Sequence, residues 1–210
     1  MNEFIIVIGR QYGAGGRKLG KRLAEALKVP YYDKGLLSEA AGRLGFSKEI
    51  FLKADEKKPS LLRSFLAFSY GSTSDSFSNY ALTDDNLYRA QSNVIKSIGD
   101  KGSCIIVGRT ADYIMRNHPG LLSIFVHAPE EHRADIVMKR GEAKSLGEAL
   151  DNVRKVDKSR ESYYNYYTNR NWGKADNYDM TFDSSVISTD EIVNFIIAHL
   201  NSRLQNLETV

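Results

Sequence analysis

An open, doubly wound parallel sheet with helices on both faces, an α/β fold, is predicted by three features of this 210-residue chain. The first is the N-terminal run Phe4-Ile5-Ile6-Val7-Ile8. It breaks into Gly9-Arg10-Gln11-Tyr12-Gly13-Ala14-Gly15-Gly16-Arg17-Lys18 and then into helically spaced Leu19, Leu23, Ala24 and Leu27, which reads as strand, turn and helix. The second is a pair of continuous apolar runs, Cys104-Ile105-Ile106-Val107 and Leu121-Leu122-Ser123-Ile124-Phe125-Val126, of the kind buried on both faces of a parallel sheet. The third is that helical patterns separate these runs, as parallel crossovers require.

The elements follow in order. After the first strand, Gly9, Gly13, Gly15 and Gly16 fall within eight residues, dense for a strand-to-helix turn because glycine costs backbone entropy. Such a turn aims backbone N–H groups and a helix N-terminus into one concavity suited to phosphate. Arg17 and Lys18 support this, since two cations in the first helical turn oppose the helix dipole and are better tolerated beside an anion. The alternative is a glycine-eased turn that only packs closely. In the common phosphate loop G-x-x-x-x-G-K-[ST] a lysine reaches the outer phosphates; here Gly16 and then Arg17 follow Gly15.

Residues 29–33 (Val-Pro-Tyr-Tyr-Asp) read as a short second strand ending in Asp33, and a helix begins near Gly35 with Leu36, Leu37, Ala40 and Ala41 on one side. Residues 47–70 hold two short amphipathic pieces, and 71–79 (GSTSDSFSN) is a small, polar loop. Residues 84–101 form an amphipathic helix through Leu87, Ala90, Val94 and Ile98. The third strand stops at Gly108-Arg109, and Pro129-Glu130-Glu131 opens a helix after the fourth, with acids at its positive end. Ser145 with Glu148, and Ser188 with Glu191, have capping-box spacing. Residues 178–182 are the fifth strand. Sheets of this class bind ligands beyond the carboxyl ends of their strands, where Gly9 to Arg17, Asp33 and Arg109 all fall.

Composition narrows the function. The chain is 42% hydrophobic and 26% charged, enough for one well-buried domain. A net charge of +3, with 29 basic residues scattered among 26 acidic ones, suits a small anionic substrate better than a nucleic-acid groove. The lone Cys104 excludes an intramolecular disulfide and fits a reducing cytoplasm. No secretory leader or membrane span is expected, and His118, His127, His132 and His199 show no metal-ligand spacing.

The glycine loop, Tyr32-Asp33, Val107-Gly108-Arg109, the turn Ala128-Pro129-Glu130-Glu131-His132-Arg133 and residues 154–160 (RKVDKSR) together resemble the bacterial cytidylate kinases. More closely, the G-[AS]-G-G-R loop and Tyr163-Tyr164-Asn165-Tyr166-Tyr167 make the chain similar to the cytidylate-kinase-like family over residues 4–200. That resemblance implies a P-loop kinase: a five-stranded parallel sheet with a core (about 1–34, 101–140 and 176–210), a helical acceptor-binding insertion (about 35–100) and a lid (about 141–175). It implies γ-phosphoryl transfer from ATP, with Mg2+, to CMP, dCMP or a related small acceptor. It carries Gly13, Ala14, Gly15, Gly16, Arg17 and Lys18 onto the ATP phosphates, Asp33, Arg109 and Asp157 onto the acceptor side, and Arg17, Arg154 and Arg160 onto catalysis. Asp183-Ser184-Ser185 resembles a structural family motif.

The chain departs from the family pattern at three places. The loop lysine is replaced by Gly16 or displaced to Arg17, Lys155 stands at the first aspartate of the lid motif R-D-x-x-D-x-x-R, and G-R-D becomes Gly108-Arg109-Thr110, with Asp112 the nearest carboxylate. Arginine suits positions 154 and 160 because its fork binds phosphate bidentately and stays charged. Each candidate also has a plainer reading: Arg154 and Arg160 as a solvated helix face, Asp33 as an N-cap, Arg133, Lys139 and Arg140 as a helix coat, and the tyrosines as aromatic packing. A non-catalytic nucleotide-binding regulator is the alternative to the enzyme, and an RNA-binding module is a third reading that the modest charge opposes.

Overall fold

The computed structural model describes residues 3–33, 35 and 84–208. The expected helix after Gly35, the amphipathic pieces at 47–70 and the loop at 71–79 lie outside the described residues. Five parallel strands form one sheet: β1 (Ile5–Arg10), β2 (Tyr31–Tyr32), β3 (Cys104–Val107), β4 (Leu121–His127) and β5 (Met180–Asp183), in the order β2-β3-β1-β4-β5. Between and after them run α1 (Gly16–Leu27), α2 (Asp84–Gly99), α3 (Ala111–Ile114), α4 (Glu130–Lys139), α5 (Leu146–Thr168) and α6 (Thr189–Glu208).

Strand β1 is central, with Ile5 opposite both Cys104 and Leu121. Its side chains alternate between two cores, as a strand covered on both faces must. Ile6 and Ile8 join Leu19 and Leu23 of α1 and Ile192 and Ile196 of α6 on one face. Ile5 and Val7 join Val94, Ile95 and Ile98 of α2 and Ile114 of α3 on the other. Cys104 is one of these packing residues. The chain leaves β1 towards β2 and β3 on one side and later places β4 and β5 on the other, so the order reverses at the carboxyl end of β1, where this architecture opens a crevice.

Helices α4 and α5 pack on each other through Ala134, Val137, Ala149 and Val153, with Tyr12 of the glycine loop against them. Both capping signatures form. Glu148 N–H donates to Ser145 Oγ (3.2 Å), while Ser188 and Glu191 exchange backbone-to-side-chain bonds of 2.9 and 3.3 Å. Helix α2 ends at Gly99, two residues early, β2 is only two residues long, and the fifth strand is shifted to start at Met180. Helix α5 stops at Thr168 with Asn169 left-handed (φ 54°), so Trp172 is not on the helix of Tyr164. It returns to the sheet instead, edge-on to Phe125 at 5.3 Å.

Candidate active site

A cavity of about 210 Å³ lies at the carboxyl end of β1, between the glycine loop and α5, and Arg10, Arg17, Arg109, Arg140 and Arg160 all line it. The loop reaches this shape through Gly13 (φ +82°) and Gly15 (φ +81°), whose left-handed backbones a side chain would strain. Gly15 is the N-cap of α1, and Arg17 and Lys18 stand in its exposed first turn. Arg17 is 61% exposed and its Nε lies 3.4 Å from Asp33 Oδ2. Asp33 Oδ1 accepts the Gly35 N–H (3.1 Å), so this carboxylate both caps a chain turn and pairs with the loop.

Arg160 comes from α5 and is mostly buried, donating from Nη1 to the Arg10 carbonyl at 3.1 Å, with its guanidinium 5.5 Å from the Tyr12 ring centre. Burial pulls its pKa down to about 10, which leaves it charged at neutral pH. Asp157, one helical turn earlier, is occupied by structure: Oδ1 accepts the Tyr12 N–H (2.7 Å) and Oδ2 accepts from Arg133. Burial raises its pKa and outweighs the two arginines that favour the carboxylate. Arg133, buried at 4% exposure, also donates to the carbonyls of Ala128 and Tyr12. Asp157 and Arg133 therefore tie α4 and α5 to the glycine loop. Arg154 faces elsewhere, 60% exposed and bonded to Glu130 at 2.9 Å, outside the lining of the cavity.

Arg109 is buried at the end of β3, where Gly108, Arg109 and Thr110 are successively left-handed (φ 75°, 66° and 52°). Two non-glycine residues in that region cost roughly 1–2 kcal/mol each, and strain of this kind persists where surrounding contacts over-determine it. Here Gln91 bonds the Arg109 carbonyl (3.4 Å) and Tyr163 (2.9 Å), and the Tyr88 and Thr110 hydroxyls lie 3.0 Å apart. Tyr88 stacks on Tyr167 at 4.0 Å, so the tyrosine cluster joins α2 to α5. Asp112 is buried and accepts the Tyr164 hydroxyl at 2.7 Å, with burial raising its pKa. Its carboxylate is thus committed to the fold. A narrower hollow beside Arg109 is lined by Tyr163, Tyr164, Trp172 and Tyr178.

Two features were not singled out by sequence reasoning. Ser159 Oγ is buried in the cavity lining with no hydrogen-bond partner among the described residues, a hydroxyl placed to meet a ligand oxygen. Arg10 enters the same cavity from β1, and its signal was present: a cation at a strand end faces the crevice, the argument that selected Arg109. Burial and its neighbours Arg160, Arg109 and Arg17 hold the Arg10 pKa well below the ordinary arginine value. Several guanidiniums in one partly desolvated hollow repel one another and fit a polyanion.

The comparisons agree with this architecture. An uncharacterized protein from Eubacterium ventriosum is similar at 27% identity and TM-score 0.70, over 95% of this chain and 99% of that one. A shikimate kinase from Bacteroides thetaiotaomicron (15% identity, TM-score 0.50, 100% of both chains) shares the fold. So does a gluconokinase from Sinorhizobium meliloti (19% identity, TM-score 0.51, 99% of this chain and 97% of that one). No curated protein sequence matches. The five-stranded parallel sheet flanked by helices is that of a P-loop kinase fold, and the family model described as "Cytidylate kinase-like family" matches residues 5–186, so the chain belongs to the cytidylate kinase-like family.

Proposed function

We propose that the protein is an ATP-dependent phosphotransferase acting on a nucleoside monophosphate, CMP- or dCMP-like, or on a related small acceptor. The observation that carries the reading is the convergence of Arg10, Arg17, Arg109 and Arg160 on one cavity against the glycine loop. Phosphoryl transfer asks a protein mainly to align two anions and neutralise the charge on their oxygens, and this set supplies that. In this reading the N–H groups of residues 13–16 and the start of α1 hold the donor phosphates, with Arg17 and Lys18 at the rim. Arg109 holds the acceptor's anion, Arg160 neutralises charge developing between the two, and Asp157 acts by positioning Arg160 and the loop. Arg154 would join only if its bond to Glu130 broke.

A phosphate chain suits the cavity because cations outnumber carboxylates among its lining residues, where Glu142 is the one carboxylate. A magnesium ion would supply neutralisation of the phosphate oxygens. Among the described residues no His, Cys, Asp and Glu cluster is arranged to hold one. The division into core, insertion at about 35–100 and lid at about 141–175 belongs to the same proposal. No described helix is long and apolar enough to cross a membrane.

The test is ATP turnover by purified protein across a panel of nucleoside monophosphates and small hydroxylated acids. Acceptor-dependent ADP release supports the reading. Tight ATP binding with no turnover on any acceptor overturns it in favour of a nucleotide-binding regulator, the reading that the missing loop lysine favours.

A further inference from the structure

We propose that Arg10 takes the place of the missing loop lysine, reaching the donor phosphate chain from the end of β1 rather than from the start of α1. The proposal rests on the phosphate-site reading above and on three observations. First, the loop has Gly16 where the lysine ordinarily stands, and the next cation, Arg17, is mostly exposed and turned to Asp33. Second, the backbone is shaped around the Arg10 side chain. A Cβ on Gly16 would lie 2.9 Å from Arg10 Cγ, and one on Gly108 would lie 2.9 Å from Arg10 Cζ and collide with Nη1. The absent side chain at Gly16 thus opens the channel through which the Arg10 stem passes, and Gly108 leaves room for its guanidinium. Third, among the described residues no carboxylate pairs with Arg10, and the arginines 17, 109 and 160 line the same cavity and repel it.

A purely structural arginine would be expected to pair with a carboxylate or to cap carbonyls, as Arg133 does. Arg10 instead accumulates desolvation and repulsion. Such an arrangement costs stability until an anion fills the site, the signature of a binding residue rather than a strut.

The experiment compares wild type and Arg10→Met, which keeps the aliphatic stem against Gly16 and removes the charge. Calorimetric affinity for ATP and for inorganic triphosphate is measured beside the ligand-free melting temperature, with Arg17→Met in parallel. A loss of about tenfold or more in affinity for both ligands in Arg10→Met, with an unchanged or raised ligand-free melting temperature, supports the proposal. A loss below tenfold, or a lowered ligand-free melting temperature, overturns it, the latter making Arg10 a structural strut. Arg17→Met reports which arginine dominates: wild-type binding in Arg10→Met with the loss in Arg17→Met returns the lysine's role to the helix start. Wild-type protein that binds neither ligand defeats the phosphate-site reading itself, an outcome distinct from any difference between the two variants.

Discussion

Arg109 enters the cavity from the end of β3 and Arg160 from α5, so their substitutions should separate acceptor binding from transfer. Arg109→Met is expected to raise the acceptor KM by about tenfold or more while ATP affinity holds, because a charge-assisted contact made in ground and transition states alike is uniform binding. Arg160→Ala is expected to lower kcat by about tenfold or more, since a charge that meets oxygens only as they gain charge acts in the transition state. Steady-state kinetics with both substrates varied checks this, and equal loss of ATP affinity in both variants would remove the division of roles. Both arginines stood out in the sequence, one by its place after a buried strand and the other by its match to the lid motif. Arg10 was passed over because it reads as part of the glycine turn, whereas β1 runs on through it, and Arg133, readable as a lid residue or a helix coat, is buried because the carbonyls of Ala128 and Tyr12 and the carboxylate of Asp157 satisfy its fork.

Among elements, the contact of α5 with the glycine loop matters most. Asp157 is the one carboxylate that meets the Tyr12 N–H, Arg133 and Arg160 together. Replacing it with alanine leaves a buried guanidinium unpaired and a loop amide without its acceptor. The expected destabilisation is about 3–5 kcal/mol, as for breaking other buried pairs, with faster hydrogen exchange at Tyr12. A urea melt together with amide exchange checks it, and an unchanged melt would mean that the carboxylate is dispensable to the tie. The strands were readable from their apolar runs because burial on both faces leaves no alternation to misread. Where β2 and β5 begin was not, because pairing with β3 and β4 sets those boundaries and no local preference does. The end of α5 at Thr168 turned on Asn169 adopting the left-handed cap, a conformation asparagine tolerates but does not announce.

At the scale of the whole molecule, stability should depend on pH through Asp112. Burial raises its folded pKa above the unfolded value, so the native state holds a proton that the unfolded chain releases. Its contribution is fully present below about pH 4, the unfolded carboxylate pKa, and is lost as pH rises through the folded value. Asp112→Asn keeps an acceptor for the Tyr164 hydroxyl and removes the titration. The variant should therefore lose less melting temperature than wild type between about pH 4 and pH 8, a comparison that thermal melts make directly. Parallel slopes would show that Asp112 titrates alike in both states. The fold class was legible at this scale because the order of strands and helices admits few topologies. The stretch 36–83 lies outside the described residues.

The sole tryptophan of the chain gives this site a built-in optical reporter. Trp172 lies edge-on to Phe125 and lines two hollows at once, the narrow one beside Arg109 and a broader one formed by Gln11, His127, Pro129 and Asp183. Its indole emission therefore comes from one known position at the carboxyl edge of the sheet, with no other indole contributing. A ligand that enters either of these two hollows can be followed by unlabelled stopped-flow fluorescence of this one chromophore.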